Sequence, residues 1–324
     1  MGLKKNILII GVNGQDGSIL SSLYINNGYN VIGTVRSERS NLLRLDYLNI
    51  KNKITLEILN PVIEADVNSI IIKYNPEVIY PLGSLTSVGQ SFNNPKETLE
   101  SNIFLIQNIC ESVRNFNKSI KIFNPLSSEM YGVQEGSIDI NKIPSPLSPY
   151  GIAKNTCFEL GKFYSSQYDL RIYNVVLFNH ESELRSRNFV TRKIIESAIS
   201  IRKGITDSLE LGNINISRDW GCAFEYCDYV MRIMKLDNKC SLILGTGETN
   251  SLKDFVQHSF EINGLNFENH LKINRHFIRD TDIKYNSANT DQLNKIIGSV
   301  PKIRMRELIF KLTQKIEHAD SCRW

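Results

Sequence analysis

The chain reads as an α/β protein built on an open, doubly wound parallel sheet, and three observations carry that expectation. Short apolar, β-branched runs alternate with longer apolar-periodic stretches through the first half of the sequence. That is the pattern of strands buried on both faces and joined by crossover helices. A glycine-rich turn, GVNGQDG at 11–17, stands between the first strand and the first helix. The residues able to do chemistry lie just after the apolar runs, where the carboxyl ends of parallel strands would gather them.

Lys5–Ile10 is the first expected strand. The helix that follows is marked by Ile19, Leu20, Leu23 and Ile25, and Gly28 ends it before a second strand, Val31–Val35. Together they make a βαβ unit of about thirty residues. Gly11, Gly14 and Gly17 keep GxxGxxG spacing, which suits a tight turn, close approach of a pyrophosphate to backbone, and anion binding at a helix N-terminus. A glycine-rich turn without a ligand would look alike in isolation, but the strand before it and the helix after it favour a dinucleotide. Arg36 ends the second strand, where an NAD-preferring site usually places Asp or Glu. A guanidinium there suits the 2′-phosphate of NADP; NADP is expected, and Glu38 leaves NAD open.

Further units follow in order. Ile54–Ile58 reads as a strand, Val67–Lys73 as a helix, and Val78–Tyr80 as a strand leading into PLGSLTSVGQSF. Glu97–Val113 is helical, Ile120–Phe123 is a strand that delivers Ser127, Ser128 and Glu129 beyond its end, and Tyr150–Tyr168 is a helix. Ile172–Leu177 is the last clear strand, and it leads into FNHE. Tyr150 and Lys154 are four residues apart and share a helix face. A nearby ammonium stabilises an ionised phenol. The pair is common by itself; its place beside the strand ends raises it above background.

Composition sets bounds. The chain has 324 residues, 41% hydrophobic and 22% charged, with a net charge of +4 and no basic run. One large or two modest domains are expected, and neither nucleic acid nor a membrane is an implied partner. The apolar run within MGLKKNILIIG is too short for a signal segment or a membrane span, so a cytoplasmic protein is expected. Six cysteines are scattered at 110, 157, 222, 227, 240 and 322. The one close pair, Cys222 and Cys227, has no second pair or histidines at ligand spacing, so no metal is expected and reduced thiols fit.

Beyond about residue 180 the alternation weakens into turn-rich stretches: RSRNFVTRKI (185–194), LGNINISRDWG (211–221), LGTGETNSL (244–252) and HFIRD (276–280). Arg185, Arg192, Lys193, Arg218 and Arg279 together would suit a nucleotide diphosphate.

These residues resemble the extended short-chain dehydrogenase/reductases, and within them the GDP-mannose 4,6-dehydratases, along nearly the whole chain. GVNGQDGSIL (11–20), SSEMYG (127–132), SPYGIAK (148–154), LFNHES (177–182), NFVTRKI (188–194), LGN (211–213), RDWG (218–221) and TGE (246–248) carry the likeness. The LFNHES and NFVTRKI pair is specific to the GDP-sugar branch. The resemblance implies a Rossmann-like dinucleotide domain over 1–176, with segments around 214–240 returning to it. A smaller, mixed α/β domain over 177–324 would bind a GDP-sugar, and homodimers or homotetramers are expected.

The resemblance also implies a reaction. Tyr150, acidified by Lys154 and the nicotinamide, would take the proton of the sugar's 4-hydroxyl as hydride leaves C4. Ser127, where the family usually has Thr, would hydrogen-bond O4. Glu129 would take the C5 proton and assist loss of the 6-hydroxyl as water, before hydride returns to C6. Cofactor contacts are implied for Gly11, Asn13, Gly14, Gln15, Asp16, Gly17, Arg36, Ile58, Leu59, Leu82, Gly83, Ser84, Tyr150, Lys154, Leu177, His180 and Arg185. Ser87, Ser128, Asn179, Asn188, Lys193, Gly212, Arg218 and Arg279 would surround a GDP-mannose or a related GDP-manno-heptose. Leu85 and Ser87 replace the family's Gln and His, Ser37 an arginine, Glu97 a tyrosine and Cys222 a histidine. A second reading therefore stays open, in which C4 is oxidised or epimerised without loss of water.

Overall fold

A computed structural model describes residues 4–278 and 282–318 and carries the expected alternation past residue 180. The first elements are β1 (Asn6–Ile10), α1 (Gln15–Asn26), β2 (Asn30–Val35), α2 (Leu43–Tyr47), β3 (Ile54–Ile58) and α3 (Glu64–Tyr74). Next come β4 (Val78–Pro81), α4 (Val88–Asn93), α5 (Pro95–Phe116), β5 (Lys121–Ser127), α6 (Pro149–Gln167) and β6 (Arg171–Leu177). The chain continues through β7 (Asn179–Glu181), α7 (Val190–Arg202), β8 (Leu209–Leu211), β9 (Ser217–Cys222), α8 (Ala223–Lys235) and β10 (Ser241–Leu244). It finishes with β11 (Thr249–Ser251), α9 (Leu252–Ile262), β12 (Leu271–Ile273), β13 (Tyr285–Asn286), α10 (Asp291–Ile297) and α11 (Met305–His318). Short α2 and α4 were not expected, because neither has an apolar stripe long enough to show a helical period.

Two compact units emerge. The first holds the chain through Gly132, then Ile140–Leu177 and Cys227–Ile243; the second holds Val133–Asp139, Phe178–Tyr226 and the chain from Leu244 onward. The first unit is a seven-stranded sheet in the order β10-β6-β5-β4-β1-β2-β3, and β1 pairs in parallel with both β2 and β4. Ile7, Leu8 and Ile9 are wholly buried, as strands covered on both faces must be. Right-handed crossovers place α3, α5 and α6 on one face and α1 on the other. The strand order reverses between β1 and β4, which opens a crevice at their carboxyl ends.

The returning segment is tied in at both ends. The Cys227 thiol lies 3.8 Å from the carbonyl of Asp16 at the start of α1. At the far end of α8, Lys121 Nζ donates to the carbonyls of Met234 (2.7 Å) and Leu236 (2.8 Å), and Tyr173 Oη donates to Leu236 (2.6 Å). A cation at a helix C-terminus satisfies carbonyls that have no partner in the helix.

The seating of α6 on β5 and β6 depends on two buried amides. Asn124 Nδ2 donates to Asn174 Oδ1 and to the carbonyl of Cys157, each at 2.8 Å. Gly161 sits directly over this pair: a Cβ there would come within 2.3 Å of Asn174 Oδ1 and 2.7 Å of Asn124 Nδ2.

In the second unit β9 pairs antiparallel with β11 and parallel with β7 and β13, and β8 pairs with β12. Its core joins Ile194, Ile195, Trp220, Phe255, Phe260, Leu308 and Ile309 from α7, β9, α9 and α11. No helix among the described residues is long and apolar enough to cross a membrane.

Gly161→Ala should cost about 1–3 kcal/mol, because the surrounding strands cannot retreat from the added methyl. Urea unfolding measures this; an unchanged midpoint would mean that α6 does not sit against the two asparagines.

Candidate functional site

The glycine-rich turn occupies the switch point between β1 and β4. The amides of Gly11 and Val12 both donate to the carbonyl of Thr34 at 3.1 Å, and Gly14 donates back to Gly11 at 3.1 Å. Gly11 has φ +84°, and a Cβ there would meet Gly83 Cα at 2.6 Å. At Gly17 a Cβ would lie 2.4 Å from the carbonyl oxygen of Gly11. Both glycines are therefore demanded by the fold itself. Gly14 is different: its φ of −74° and ψ of 170° suit any residue, and only the Gly11 oxygen, at 3.4 Å, lies near its missing Cβ. A bare backbone at this helix N-cap fits the approach of an anion, since the first-turn amides of α1 precede the helix's own hydrogen-bond ladder.

The neighbouring loops close on the same point. Arg36, one residue past β2, donates from Nη2 to the carbonyl of Gly83 at 3.0 Å, and the Leu82 amide donates to Ile10 at 2.8 Å. Ser84 follows in the same loop. At the end of β3, Ile58 is 55% exposed, and the next residue, Leu59, is buried, with its amide on the carbonyl of Val35 at 2.9 Å. Sequence reasoning overlooked a strap over this turn. Asn13 Nδ2 donates to the carbonyl of Asn41, and Arg44 Nη1 to that of Asn13, each at 3.1 Å. A third arginine so soon after β2 was the available signal.

At the end of β5, Ser127 Oγ accepts the amide of Glu129 at 3.3 Å and caps a 3-10 turn, Ser128–Tyr131. Ser128 is buried and Glu129 partly exposed. Helix α6 starts beside this turn. Ser148 Oγ accepts the amide of Gly151 at 3.0 Å, and Pro149 takes the first helical position, a pairing that pre-forms a helix start. A Cβ on Gly151 would stand 2.7 Å from the main-chain carbonyl oxygen of Glu129, so only a glycine lets the first turn of α6 come this close to that carbonyl.

Tyr150 and Lys154 project from that turn and are 8% and 5% exposed. Lys154 Nζ lies 5.6 Å from the Tyr150 ring centre and donates to the carbonyl of Pro125 at 2.8 Å. Burial pushes its pKa below the usual lysine value, and the Cys157 thiol opposes that shift. Pro125 is tolerated inside β5 because the β4 ladder stops at Ile122, which leaves no partner in β4 for the missing N–H. Ser87, by contrast, caps α4 by accepting the Gln90 amide at 3.2 Å.

In the second unit the paired motifs LFNHES and NFVTRKI prove to be packed together. The buried Glu181 carboxylate accepts Thr191 Oγ1 at 2.8 Å and pairs with Arg185 Nε at 3.2 Å. The Arg185 guanidinium lies 3.6 Å from the centre of the Phe189 ring. Arg192 is buried, donating to Glu196 at 2.7 Å and to the carbonyl of Glu183; it holds the fold together. Asn188 is exposed. Asn179 and His180 pair with Trp220 and Gly221 across β7 and β9, and His180 Nδ1 lies 2.7 Å from the carbonyl of Phe178.

Lys193 Nζ donates to the carbonyl of Glu210 at 2.7 Å and lies 4.7 Å from the centre of the Phe277 ring. Gly212 lets that segment pass: a Cβ there would meet the Phe277 carbonyl at 2.5 Å. Arg218 Nη1 donates to the carbonyls of Ser217 (2.9 Å) and Ile283 (2.6 Å). Arg279 lies outside the described residues. RDWG and TGE are joined by Asp219, whose buried carboxylate accepts the amides of Thr246 and Gly247 at 3.0 and 2.8 Å. Burial pushes the Asp219 carboxyl up to about 6.

Comparison with known proteins shows the family and the fold. A family model described as GDP-mannose 4,6 dehydratase matches residues 8–312. GDP-mannose 4,6 dehydratase 1 of Arabidopsis thaliana is 30% identical over 320 residues, covering 94% of this chain and 88% of the relative. The Homo sapiens GDP-mannose 4,6 dehydratase is 29% identical over 348 residues, covering 99% and 92%. Among solved structures, a dTDP-glucose 4,6-dehydratase from Bacillus anthracis in complex with NAD superposes with a TM-score of 0.85 at 16% identity, over 98% of both chains. A UDP-glucose 4-epimerase from Thermotoga maritima with UDP-glucose superposes at 0.86 with 20% identity, over 97% and 99%. At these identities the structures establish a shared fold.

The three loop glycines should separate experimentally. Gly17→Ala should lower the urea midpoint, whereas Gly14→Ala should leave it unchanged and weaken dinucleotide binding in a fluorescence titration. Equal effects of the two substitutions on stability would contradict the division of roles.

Proposed function

The chain belongs to the GDP-mannose 4,6-dehydratase family, and from that premise we propose that it converts GDP-mannose, or a related GDP-manno-heptose, to the 4-keto-6-deoxy sugar. The observation that supports this reading is the contact of the Glu129 main-chain carbonyl with the first turn of α6 at Gly151, which brings the residue that bears the carboxyl group to the turn that bears Tyr150. Oxidation needs a phenol-type base, and elimination needs a separate acid/base.

A nicotinamide dinucleotide would supply the acceptor for hydride from C4 and the donor for its return to C6. The amides at the start of α1 and the bare backbone at Gly14 would bind its pyrophosphate. Gln15, Asp16, Leu82, Gly83, Ser84, Ile58, Leu59 and Leu177 would line its remaining length. Arg36 would take the 2′-phosphate of NADP, so NADP is the proposed form.

Tyr150 Oη would remove the proton of the sugar's 4-hydroxyl while Ser127 Oγ hydrogen-bonds O4. The resulting 4-ketone acidifies C5–H. Glu129 would take that proton and deliver one to the departing 6-hydroxyl, which leaves as water. Lys154, buried and fixed on the Pro125 carbonyl, would hold its positive charge beside the phenol. Hydride returned to C6, with the proton taken from O4 by Tyr150 restored at C5, would complete the product without net redox change. Ser87 and Ser128 would face the sugar, while Asn179, Asn188, Lys193, Gly212, Arg218 and Arg279 would receive the GDP portion. His180 and Arg185 would contact the cofactor. We further propose that the protein works in the cytoplasm as a homodimer or homotetramer.

Mass spectrometry after incubation with GDP-mannose or GDP-manno-heptose tests the reading: the product should be lighter by one water. Glu129→Gln should abolish that loss while C4 oxidation partly survives; normal dehydration by this variant would remove Glu129 from its role. A wild-type product lighter by only two hydrogens would favour the C4 oxidase alternative. Arg36→Ala should weaken NADP on the order of tenfold or more, given the strength of a charged phosphate contact, with NAD little affected. Equal weakening of both would refute 2′-phosphate recognition.

A further inference from the structure

The glycine-rich turn is anchored by the sheet on one side and by α1 on the other, and its apex is held from outside. Gly11 and Val12 donate to the Thr34 carbonyl, and Ser18 donates to that of Gly14 at 3.0 Å. Val12 is wholly buried. Asn13 lies between β1 and α1 and is only half-buried, so packing alone does not fix it. Two hydrogen bonds running in opposite directions do. Arg44 Nη1 donates to the Asn13 carbonyl, and Asn13 Nδ2 donates to the Asn41 carbonyl, each at 3.1 Å.

The carbonyl that Arg44 holds belongs to the same peptide unit as the Gly14 N–H, which donates to Gly11 at 3.1 Å. A peptide unit is planar, so the two bonds grip one plate from both sides. Gly14 is the N-cap of α1, and the plate therefore sets the direction in which the helix's first amides point. The clamp is itself well ordered. Asn41 Oδ1 accepts the Leu43 amide at 2.9 Å, a local turn that fixes the chain at Asn41. Arg44 belongs to α2, where Leu45 is wholly buried and the Leu48 amide closes on the Arg44 carbonyl at 3.1 Å.

We propose that Arg44 is a positioning residue: through the Asn13 carbonyl, and with Asn41 holding the side chain of Asn13, it fixes the Asn13–Gly14 peptide and keeps the first-turn amides of α1 ready for a pyrophosphate. That a dinucleotide supplies the pyrophosphate rests on the function proposed above; the clamp on the peptide does not. An arginine that only anchored α2 would leave the turn indifferent to its removal.

Amide hydrogen exchange of the cofactor-free protein, followed by titration with NADP and with NAD, provides the test. Arg44→Met keeps much of the side chain's length and removes its N–H groups. It should speed exchange in the peptide covering residues 11–18 and weaken NADP and NAD alike, about five- to tenfold, as loss of one charge-assisted hydrogen bond implies. Arg44→Lys, which can still donate to the carbonyl, should recover most of both. Unchanged exchange at 11–18 in Arg44→Met, or faster exchange confined to α2, would overturn the proposal. A loss confined to NADP would also overturn it, because Arg44 would then serve the 2′-phosphate directly. Asn13→Ala drops the bond to Asn41 and leaves α2 intact, so it keeps the question answerable if Arg44→Met does not fold; it too should speed exchange at 11–18, and no change there would count against the clamp. If the wild type binds neither dinucleotide, the proposed function fails while the exchange result still decides the clamp.

Discussion

The organisation of the first unit depends on how closely α6 can approach the strands beneath it. Two glycines set that approach. Gly161 lets the helix rest on the Asn124 and Asn174 amides, and Gly151 lets its first turn touch the carbonyl of Glu129. Either methyl would have to displace backbone or a buried amide, neither of which yields cheaply. With the helix fixed at both points, Tyr150 and Lys154 have no freedom to drift from the end of β5. The lysine is then locked by a single carbonyl, that of Pro125. The placement of Tyr150 and Lys154 is thus a consequence of helix seating.

Much of this was legible in the sequence. The apolar runs located β1 to β6, because strands buried on both faces leave an unbroken hydrophobic signature; only β5 ran well past the expected Phe123, to Ser127. The glycine-rich turn located the switch point, and the YxxxK spacing put Tyr150 and Lys154 together at the start of one helix. Less visible was which glycine did what. GxxGxxG treats Gly11, Gly14 and Gly17 alike, yet two answer steric demands of the fold and one stands clear of it. Nor could a linear reading find Asn174 beneath Gly161, or Tyr226 against Gly221, since neither contact follows from the periodicity of a strand or a helix.

The second unit was harder to read for a physical reason. Its strands are short, three residues in β7, β8, β11 and β12, too short to show a period. The motifs that marked it serve mainly to hold it together. Glu181 binds Thr191, Arg192 binds Glu196, and Asp219 gathers Thr246 and Gly247. Grouping Arg192 with the substrate-facing cations therefore overstated the positive charge available to a nucleotide: a guanidinium buried against a carboxylate and a carbonyl has its donors engaged. Sequence shows that an arginine is present; only packing shows whether its charge is accessible.

The central claim is that one site oxidises C4, eliminates water and reduces C6 with the same hydride. Incubation with GDP-mannose carrying deuterium at C4 tests it most directly, with the label located in the product by nuclear magnetic resonance. The account predicts a 4-keto-6-deoxy product with deuterium at C6. A product that keeps its C6 oxygen, or deuterium recovered in released cofactor instead of at C6, would contradict it.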